Sequence, residues 1–234
     1  MKNLVLLCCL STTLVLSSPT TAEPLLQIAR LDAGSHSVTS GDPDIWKALN
    51  PRKLDLRSAA ALVVDDAGNE VYAKQEESPM PIASITKLMT AMVILDGELS
   101  MREKITITKE DRDLIQLTGS RLEYGARLSR DELLKLALMA SENRAANALA
   151  RTWPGGSKAF IAAMNRKARS LQMKNSRFTD PAGLDAGNVA SARDLVKMVR
   201  AAMRYPFIRE ATTTRSISIR PYKKRGELRY VNTN

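Results

Sequence analysis

Two polar residues, Ser84 and Lys87, stand three positions apart at the predicted start of a long apolar helix. On a helix this spacing places both side chains on one face, about one turn apart and within hydrogen-bonding reach. A buried lysine loses the solvation of its ammonium group, and the positive end of the helix dipole disfavours that charge further. A neutral amine can then take the Ser84 proton, which would make the serine a nucleophile without a histidine.

Each of these signals also has a plain structural interpretation. Ser84 can act as a helix cap, and Lys87 can be a solvated residue of the first turn. A second polar cluster, Ser141 with Glu142 and Asn143, follows another apolar helix and on its own fits an ordinary loop. The combination of the two clusters, rather than either alone, favours catalysis.

Imidazole and thiol chemistry has little support in the sequence. The only histidine, His36, lies in a Gly- and Ser-rich segment near the N-terminus, and both cysteines, Cys8 and Cys9, lie in the first apolar segment. Ser-His-Asp hydrolysis, Cys-His hydrolysis and His-rich zinc sites are therefore disfavoured. We expect the general base to be a lysine, a carboxylate or a tyrosine.

Residues 1–22 have the pattern of an export signal. Lys2 precedes an apolar run from Leu4 to Leu16, and small residues end at Ala22, where we predict cleavage. The run is too short to span a membrane, and because it continues past Cys8 it disfavours lipidation there. We therefore predict a periplasmic protein without a membrane span.

The composition narrows the classes of partner. The chain has 234 residues, of which 44% are apolar, 26% charged and 4% aromatic, with a formal net charge of +10. Few aromatic residues and an export signal argue against nucleic acid. The charge suits an anionic polymer of the cell envelope, but it can equally serve solubility alone.

The organisation that we predict is a leader over residues 23–57 and one domain over residues 58–234. A hairpin around Gly68 opens the domain, and an apolar helix follows and ends near Gly97. Three further helices are predicted to open at serine caps, which are Ser129 with Glu132, Ser157, and Ser191 with Asp194. Strands at the start and helices in the middle imply an α+β fold.

Three segments, in order, resemble one known family. They are ASITKLMTAMVILD, LALMASENRAANALA and NSRFTDPAGLDAGNVASARDLVKM. They are similar to the D-alanyl-D-alanine carboxypeptidase and endopeptidase family, serine peptidase family S11. The variant Ser-Glu-Asn, with PGGSKAFIAAMNRKARSL and RYVNTN, favours its DD-endopeptidase branch of the penicillin-binding protein 7 type. The resemblance covers about residues 60–234.

The resemblance implies a role for four residues. Ser84 is expected to be the acyl-accepting nucleophile, Lys87 the proton acceptor and Ser141 the relay toward the leaving amine. Asn143 is expected to position Lys87 and, with Ser141, to bind the substrate. The implied substrates are peptidoglycan stem peptides, β-lactams are implied as covalent inhibitors, and no metal or organic cofactor is implied.

The resemblance also implies a transpeptidase/β-lactamase-like fold, an antiparallel sheet beside a helical lobe. The third motif of the family, Lys-Thr-Gly, does not occur in the 234 residues. We therefore expect the C-terminal strands of the sheet to be missing, in a truncated product or a fragment. Two alternatives stay open. One is an inactive peptidoglycan-binding relative, and the other is a serine β-lactamase that would need a deacylating carboxylate such as Asp180 or Asp185.

Overall fold

The computed structural model describes residues 6–10, by their backbone only, and residues 56–224 and 226–233. The predicted signal peptide is therefore described only in part, and His36 with residues 23–55 of the predicted leader lies outside the described residues. The chain divides into two compact units, residues 1–74 and 75–234. Signal cleavage and a domain boundary at residue 58 stay predictions.

Helices alternate with short antiparallel strands, so the predicted α+β class is confirmed. The strands are β1 (Leu6–Leu10), β2 (Ala60–Val64), β3 (Glu70–Lys74), β4 (Met80–Pro81), β5 (Lys104–Thr106), β6 (Arg127–Ser129), β7 (Val189–Ala190), β8 (Ser216–Ile219) and β9 (Leu228–Val231). The helices are α1 (Thr86–Asp96), α2 (Arg130–Met139), α3 (Asn143–Arg151), α4 (Gly156–Ser170), α5 (Ala192–Ala202) and α6 (Pro206–Thr213). Single 3₁₀ turns occupy Ala83–Ile85 and Lys109–Asp111.

The first unit contains a three-stranded antiparallel sheet in the order β1-β2-β3. The predicted hairpin between β2 and β3 is confirmed, and Gly68 supplies its turn with a φ of 95°. Glycine suits this position because side chains with a Cβ rarely adopt a positive φ. Strand β1 pairs with the other edge of β2, where Leu6 lies opposite Val64 and Leu10 opposite Ala60.

Helix α1 is the central helix of the second unit, as its wide apolar face predicts. It contacts α2, α3, α4 and α5. Almost every residue from Thr86 to Ile94 is buried, including Lys87. A helix that is apolar on most sides is stable only when other elements surround it, so the residues on its first turn are held firmly.

The predicted helix caps are confirmed at two of three serines. Ser129 and Glu132 form a reciprocal capping box at the start of α2, and the Ser191 side chain accepts the Asp194 N–H at the start of α5. The prediction for Ser157 is wrong. The N-cap of α4 is Gly155, two residues before Ser157, because the left-handed backbone of that glycine already turns the chain into the helix.

Three two-stranded sheets complete the second unit, and they pair β4 with β7, β5 with β6, and β8 with β9. The loose alternation RSISIR is confirmed as strand β8, whereas α6 and β9 were not predicted. The β4–β7 pair places Met80 opposite Ala190, and the Ile82 N–H donates to the Asn188 carbonyl at 3.1 Å. This pairing anchors the chain two residues before Ser84.

Candidate active site

Ser84 lies in the 3₁₀ turn between β4 and α1. The preceding residue, Ala83, has a left-handed backbone with a φ of 46°, which turns the chain sharply into the helix. Ser84 is exposed, whereas Lys87 on the first turn of α1 is only 3% exposed. The Lys87 Nζ lies 2.9 Å from the Ser84 Oγ. An accessible hydroxyl thus contacts a buried amine.

Ser141 approaches the same pair from the turn between α2 and α3. Its own backbone is left-handed, with a φ of 51°, and the next N–H, of Glu142, returns to the Leu136 carbonyl at 3.2 Å. The Ser141 Oγ lies 2.7 Å from the Ser84 Oγ and 3.2 Å from the Lys87 Nζ. Three of the predicted site residues therefore form a closed triangle of hydrogen bonds.

The third hydrogen bond of Lys87 goes to the backbone, because its Nζ donates to the Ala182 carbonyl at 2.7 Å. Burial lowers the pKa of Lys87 to about 8, although the negative charges of Asp180 and Glu142 act in the opposite direction. With that pKa, roughly one lysine in ten carries a neutral amine at pH 7. The geometry and the pKa both suit a base beside Ser84.

The loop of residues 180–188 is folded around the Asp180 carboxylate. One oxygen accepts the successive backbone N–H groups of residues 182–184, at 2.6, 2.7 and 3.3 Å. The other accepts the Asp185 N–H at 2.8 Å and the side-chain amide of Asn188. Asp185 accepts the Gly187 N–H at 2.7 Å. Asp180 is therefore fully engaged within the loop, which argues against its activating a water as a β-lactamase carboxylate would.

Gly183 brings this loop against the backbone that precedes Ser84. Its φ is 81°, and a Cβ built at this position would stand 1.8 Å from the Ala83 carbonyl oxygen. The Thr90 hydroxyl of α1 also donates to the Pro181 carbonyl at 2.7 Å. Only glycine fits such an approach, so the loop is held tightly to the start of α1.

Asn143, the first residue of α3, has a different set of partners. Its Nδ2 donates to the Thr118 Oγ1 at 2.9 Å, and its buried Oδ1 has no partner among the described residues. The hydrogen bonds described for Lys87 go to Ser84, Ser141 and Ala182, so none of them carries the predicted positioning of Lys87 by Asn143. The role of Asn143 toward substrate stays a prediction.

A cavity of about 490 Å³ opens beside the triangle. Ser84 and Ser141 supply polar groups to it, and most of the other walls are apolar. The lining residues are Ser84, Ile85, Leu88, Ala137, Leu138, Ser141, Met203, Thr212 and Thr233. A mostly apolar cavity with a few polar groups, here including the Ser84 and Ser141 hydroxyls, is typical of a small-molecule or peptide site.

Sequence reasoning missed the groups that support this site. They are the Ala182 carbonyl, the Asp113 carboxylate, Thr118 and Gly183. Asp180 was considered only as a β-lactamase carboxylate, and its role in holding the loop was missed. A signal was present, since an aspartate followed within a few residues by glycine or other turn residues often gathers the backbone N–H groups of its own loop. Among residues 56–224 and 226–233, no group of three metal-ligating side chains occurs, and no helix is long and apolar enough to cross a membrane.

A profile of the D-alanyl-D-alanine carboxypeptidase family, peptidase family S11, matches residues 47–234. The chain belongs to this family. The predicted membership is thereby confirmed. Among relatives, it is 42% identical to a D-alanyl-D-alanine endopeptidase of Pseudomonas aeruginosa, over 80% of this chain and 61% of that one. It is 47% identical to a D-alanyl-D-alanine endopeptidase of Escherichia coli, over 69% and 52%.

Solved structures of DD-peptidases have the same fold as this S11 chain. A variant of the Streptomyces K15 DD-transpeptidase superposes with a TM-score of 0.71 at 27% identity, over 78% of this chain and 76% of that one. A D-alanyl-D-alanine carboxypeptidase of Mycobacterium tuberculosis gives 0.66 at 30% identity, over 75% and 66%. The predicted fold class is confirmed. The chain spans between about half and three fifths of the two curated endopeptidases.

Proposed function

We propose that this protein is a serine DD-peptidase that hydrolyses D-alanyl peptide bonds of peptidoglycan through an acyl-enzyme on Ser84. One observation carries the proposal. The exposed Ser84 hydroxyl lies within 2.9 Å of the Lys87 amine, which is buried and has its pKa lowered to about 8. A hydroxyl beside a neutral amine is an activated nucleophile.

The mechanism follows from the triangle. The neutral Lys87 takes the Ser84 proton while the Ser84 Oγ bonds to the carbonyl carbon of the substrate, and a tetrahedral oxyanion forms. The Ser84 N–H, in the 3₁₀ turn directly before α1, is one donor for that charge. Ser141 then passes a proton from Lys87 to the leaving amine as the peptide bond breaks. Water hydrolyses the resulting ester by the same steps in reverse.

Cleavage of cross-links, rather than removal of a terminal D-alanine, is the favoured activity. The support comes from two groups of relatives. Those that are 38% to 47% identical to this chain are named endopeptidases, whereas those that are 29% to 35% identical are named carboxypeptidases. Incubation with a cross-linked muropeptide dimer and with an uncross-linked pentapeptide tests this choice. Faster release of monomers from the dimer supports an endopeptidase, and release of free D-alanine alone contradicts it.

The place of action that we propose is the periplasm, after export by the N-terminal segment. The support is the sequence pattern of residues 1–22 together with the cell-wall relatives. Expression in a bacterial host, followed by cell fractionation and N-terminal sequencing, tests both export and the predicted cleavage after Ala22. Retention of the full chain in the cytoplasm would contradict this part of the proposal.

The first experiment is intact-mass spectrometry of the full chain before and after benzylpenicillin, which imitates the substrate and leaves a slowly hydrolysed ester. One adduct on the wild type and none on Ser84→Ala is the expected result. Ser157→Ala is the matched control, because it also removes an exposed serine at the start of a helix. A folded wild type without an adduct would favour a peptidoglycan-binding relative without catalysis, and rapid turnover of the penicillin would favour a β-lactamase.

A further inference from the structure

Lys87 can act as a base only if its lone pair faces Ser84, and the structure contains a group that can fix this orientation. A neutral amine has two N–H groups and one lone pair. The Ala182 carbonyl oxygen can only accept, so one N–H of Lys87 must point to it, at 2.7 Å. With the second N–H on the Ser141 Oγ at 3.2 Å, the lone pair is left for the Ser84 hydroxyl.

The Ala182 carbonyl is in turn held by Asp180. The carboxylate accepts the three N–H groups of residues 182–184, so the peptide units on both sides of the Ala182 Cα are fixed against it. The Asn188 amide, fully buried, holds the second carboxylate oxygen from the far end of the loop. The carbonyl therefore cannot turn away from Lys87 while Asp180 keeps these bonds.

We propose that Asp180 is a positioning residue for Lys87, which holds the Ala182 carbonyl on the amine and so keeps the lone pair facing Ser84. The inference rests on the proposed acylation of Ser84 and adds a residue outside the Ser84, Lys87, Ser141 triangle. Asp180 has a second influence, because its charge favours the ammonium form of Lys87. Glu142, in the turn beside Ser141, is the other carboxylate that acts on Lys87 in this way.

These two influences of Asp180 give Asp180→Asn a distinctive signature. The amide keeps one acceptor, but its NH₂ would face the N–H donors of Asp185 and Asn188, so the loop loses those bonds. Without them the side chain is no longer held in place, and its remaining oxygen no longer fixes the N–H groups of residues 182–184. The maximal rate of acylation should fall roughly 10- to 100-fold, because the amine is no longer oriented. The pH midpoint should move to lower pH, because removal of the negative charge lowers the pKa of Lys87.

The test is the rate of acylation of the full chain by a fluorescent penicillin between about pH 6 and pH 10. In the wild type we expect the rate to rise through about pH 8, where Lys87 loses its proton. Glu142→Gln should move the midpoint to lower pH and leave the maximal rate near that of wild type. Asp185→Asn is the matched control, because it removes a charge from the same loop without acting on Lys87. It should change neither quantity.

The proposal is overturned if Asp180→Asn behaves like Asp185→Asn, or if its maximal rate falls while its midpoint stays in place. If Asp180→Asn does not fold, Asp180→Glu replaces it, because this variant keeps the charge and displaces the loop by one methylene. A lower maximal rate with an unmoved midpoint is then expected, and wild-type acylation at every pH contradicts the proposal.

A second measurement separates this inference from the proposed function. The NMR signal of the Lys87 side chain, from lysine labelled with ¹³C at Cε and assigned with Lys87→Arg, reports the pKa without any acylation. A lower pKa in Asp180→Asn than in wild type supports the inference even if penicillin leaves no adduct. An unchanged pKa in a folded variant contradicts the inference even if the wild type is acylated normally.

Discussion

Two loops contact the candidate site, and one aspartate organises each of them. In residues 180–188 the Asp180 carboxylate accepts four backbone N–H groups. In residues 113–118 the Asp113 carboxylate accepts three backbone N–H groups and the Thr118 hydroxyl. Both loops therefore have the same local arrangement. Their backbone N–H groups lack the hydrogen bonds of a helix or sheet, and the carboxylate of an aspartate in the same loop accepts them instead.

The loops differ in burial, and that difference decides what each can do. Residues 181–184 are buried, and their loop delivers a carbonyl to Lys87. In the other loop, Leu114 and Leu117 are 75% and 66% exposed. The Thr118 hydroxyl accepts from Asn143, and the Gln116 amide donates to the Leu184 carbonyl at 2.7 Å. A buried carbonyl acts on the amine through a medium of low dielectric constant, whereas groups near solvent are screened. The first loop thus contacts Lys87 itself, whereas the second contacts Asn143 and is exposed to solvent.

The largest difference between the two loops is expected in the free energy of unfolding when a glycine of each is replaced by alanine. Gly183→Ala would force a Cβ into the Ala83 carbonyl at a backbone angle that favours glycine, so we expect a loss of several kcal/mol in the free energy of unfolding. Acylation of Ser84 should fall with it, since Ala83 directly precedes Ser84. Urea unfolding and penicillin acylation check the two parts.

Gly119→Ala is the matched control, at the end of the other loop. A Cβ there meets nothing within 4 Å, and the φ of Gly119 is not in the left-handed range. We expect a change of less than about 0.5 kcal/mol, in either direction. Equal destabilisation by the two alanines would show that the loop of residues 180–188 is not held as tightly as its contacts indicate.

The sequence predicted the elements better than the loops that join them. Helix α1 and the caps at Ser129 and Ser191 depend on local periodicity and on hydrogen bonds three residues apart, which a sequence displays directly. The prediction of where α4 begins was wrong, because the chain already enters the helix at the left-handed Gly155, before the serine that was predicted to cap it. Helix α6 and strand β9 were missed, since short elements near the end of a segment carry little periodicity.

The residues of the candidate site also divide into those that the sequence predicted and those that it did not. Ser84 and Lys87 lie three residues apart where the 3₁₀ turn meets α1, so their contact follows from spacing alone. Ser141 reaches them from 54 residues beyond Lys87, and only the resemblance to a family predicted that approach. The Ala182 carbonyl is a backbone atom 95 residues from Lys87, and no residue type marks such an acceptor. Backbone groups that act through tertiary packing are therefore the part of a site that a sequence conceals.

The next largest effect concerns the acid stability of the exposed loop. Burial acts to raise the pKa of Asp113, but the hydrogen bonds from Thr118 and from the backbone outweigh it and lower the pKa to about 2. A carboxylate with a lowered pKa stabilises the fold above its ordinary pKa near 3.8, and this stabilisation is lost as pH falls through about 2. We expect Asp113→Asn to cost about 2 kcal/mol at pH 7.

Urea unfolding at several pH values checks this prediction. The difference between wild type and Asp113→Asn should shrink as pH falls from about 4 to about 2, because the wild-type carboxylate is then protonated. A difference that stays constant over that range would mean that the lost stability does not come from the charge. Asp113→Asn should leave the pH midpoint of acylation in place, in contrast to Asp180→Asn.

A smaller effect is expected where the exposed loop meets Asn143. Thr118→Val removes the hydroxyl that accepts from the Asn143 amide at 2.9 Å, whereas Thr118→Ser keeps it. We expect acylation by penicillin to slow roughly 2- to 10-fold in the valine variant, which also loses the hydrogen bond from the Thr118 hydroxyl to Asp113, and to recover in the serine variant. The pH midpoint should not move in either variant, because Thr118 does not contact Lys87. A moved midpoint would show that the two loops are coupled.

The smallest effect is expected at the exposed leucines, and it tests whether their loop is as exposed in solution as it is in the structure. Leu114 is 75% exposed, so Leu114→Ser removes almost no buried apolar surface, and the free energy of unfolding should change by less than about 0.5 kcal/mol. Leu184→Ala in the other loop, where the leucine is 8% exposed, should cost about 2 kcal/mol or more. Urea unfolding of both variants measures the contrast. If Leu114→Ser destabilised the protein as much as Leu184→Ala, residues 113–118 would have to be packed in solution, and the contrast in burial between the two loops would fail.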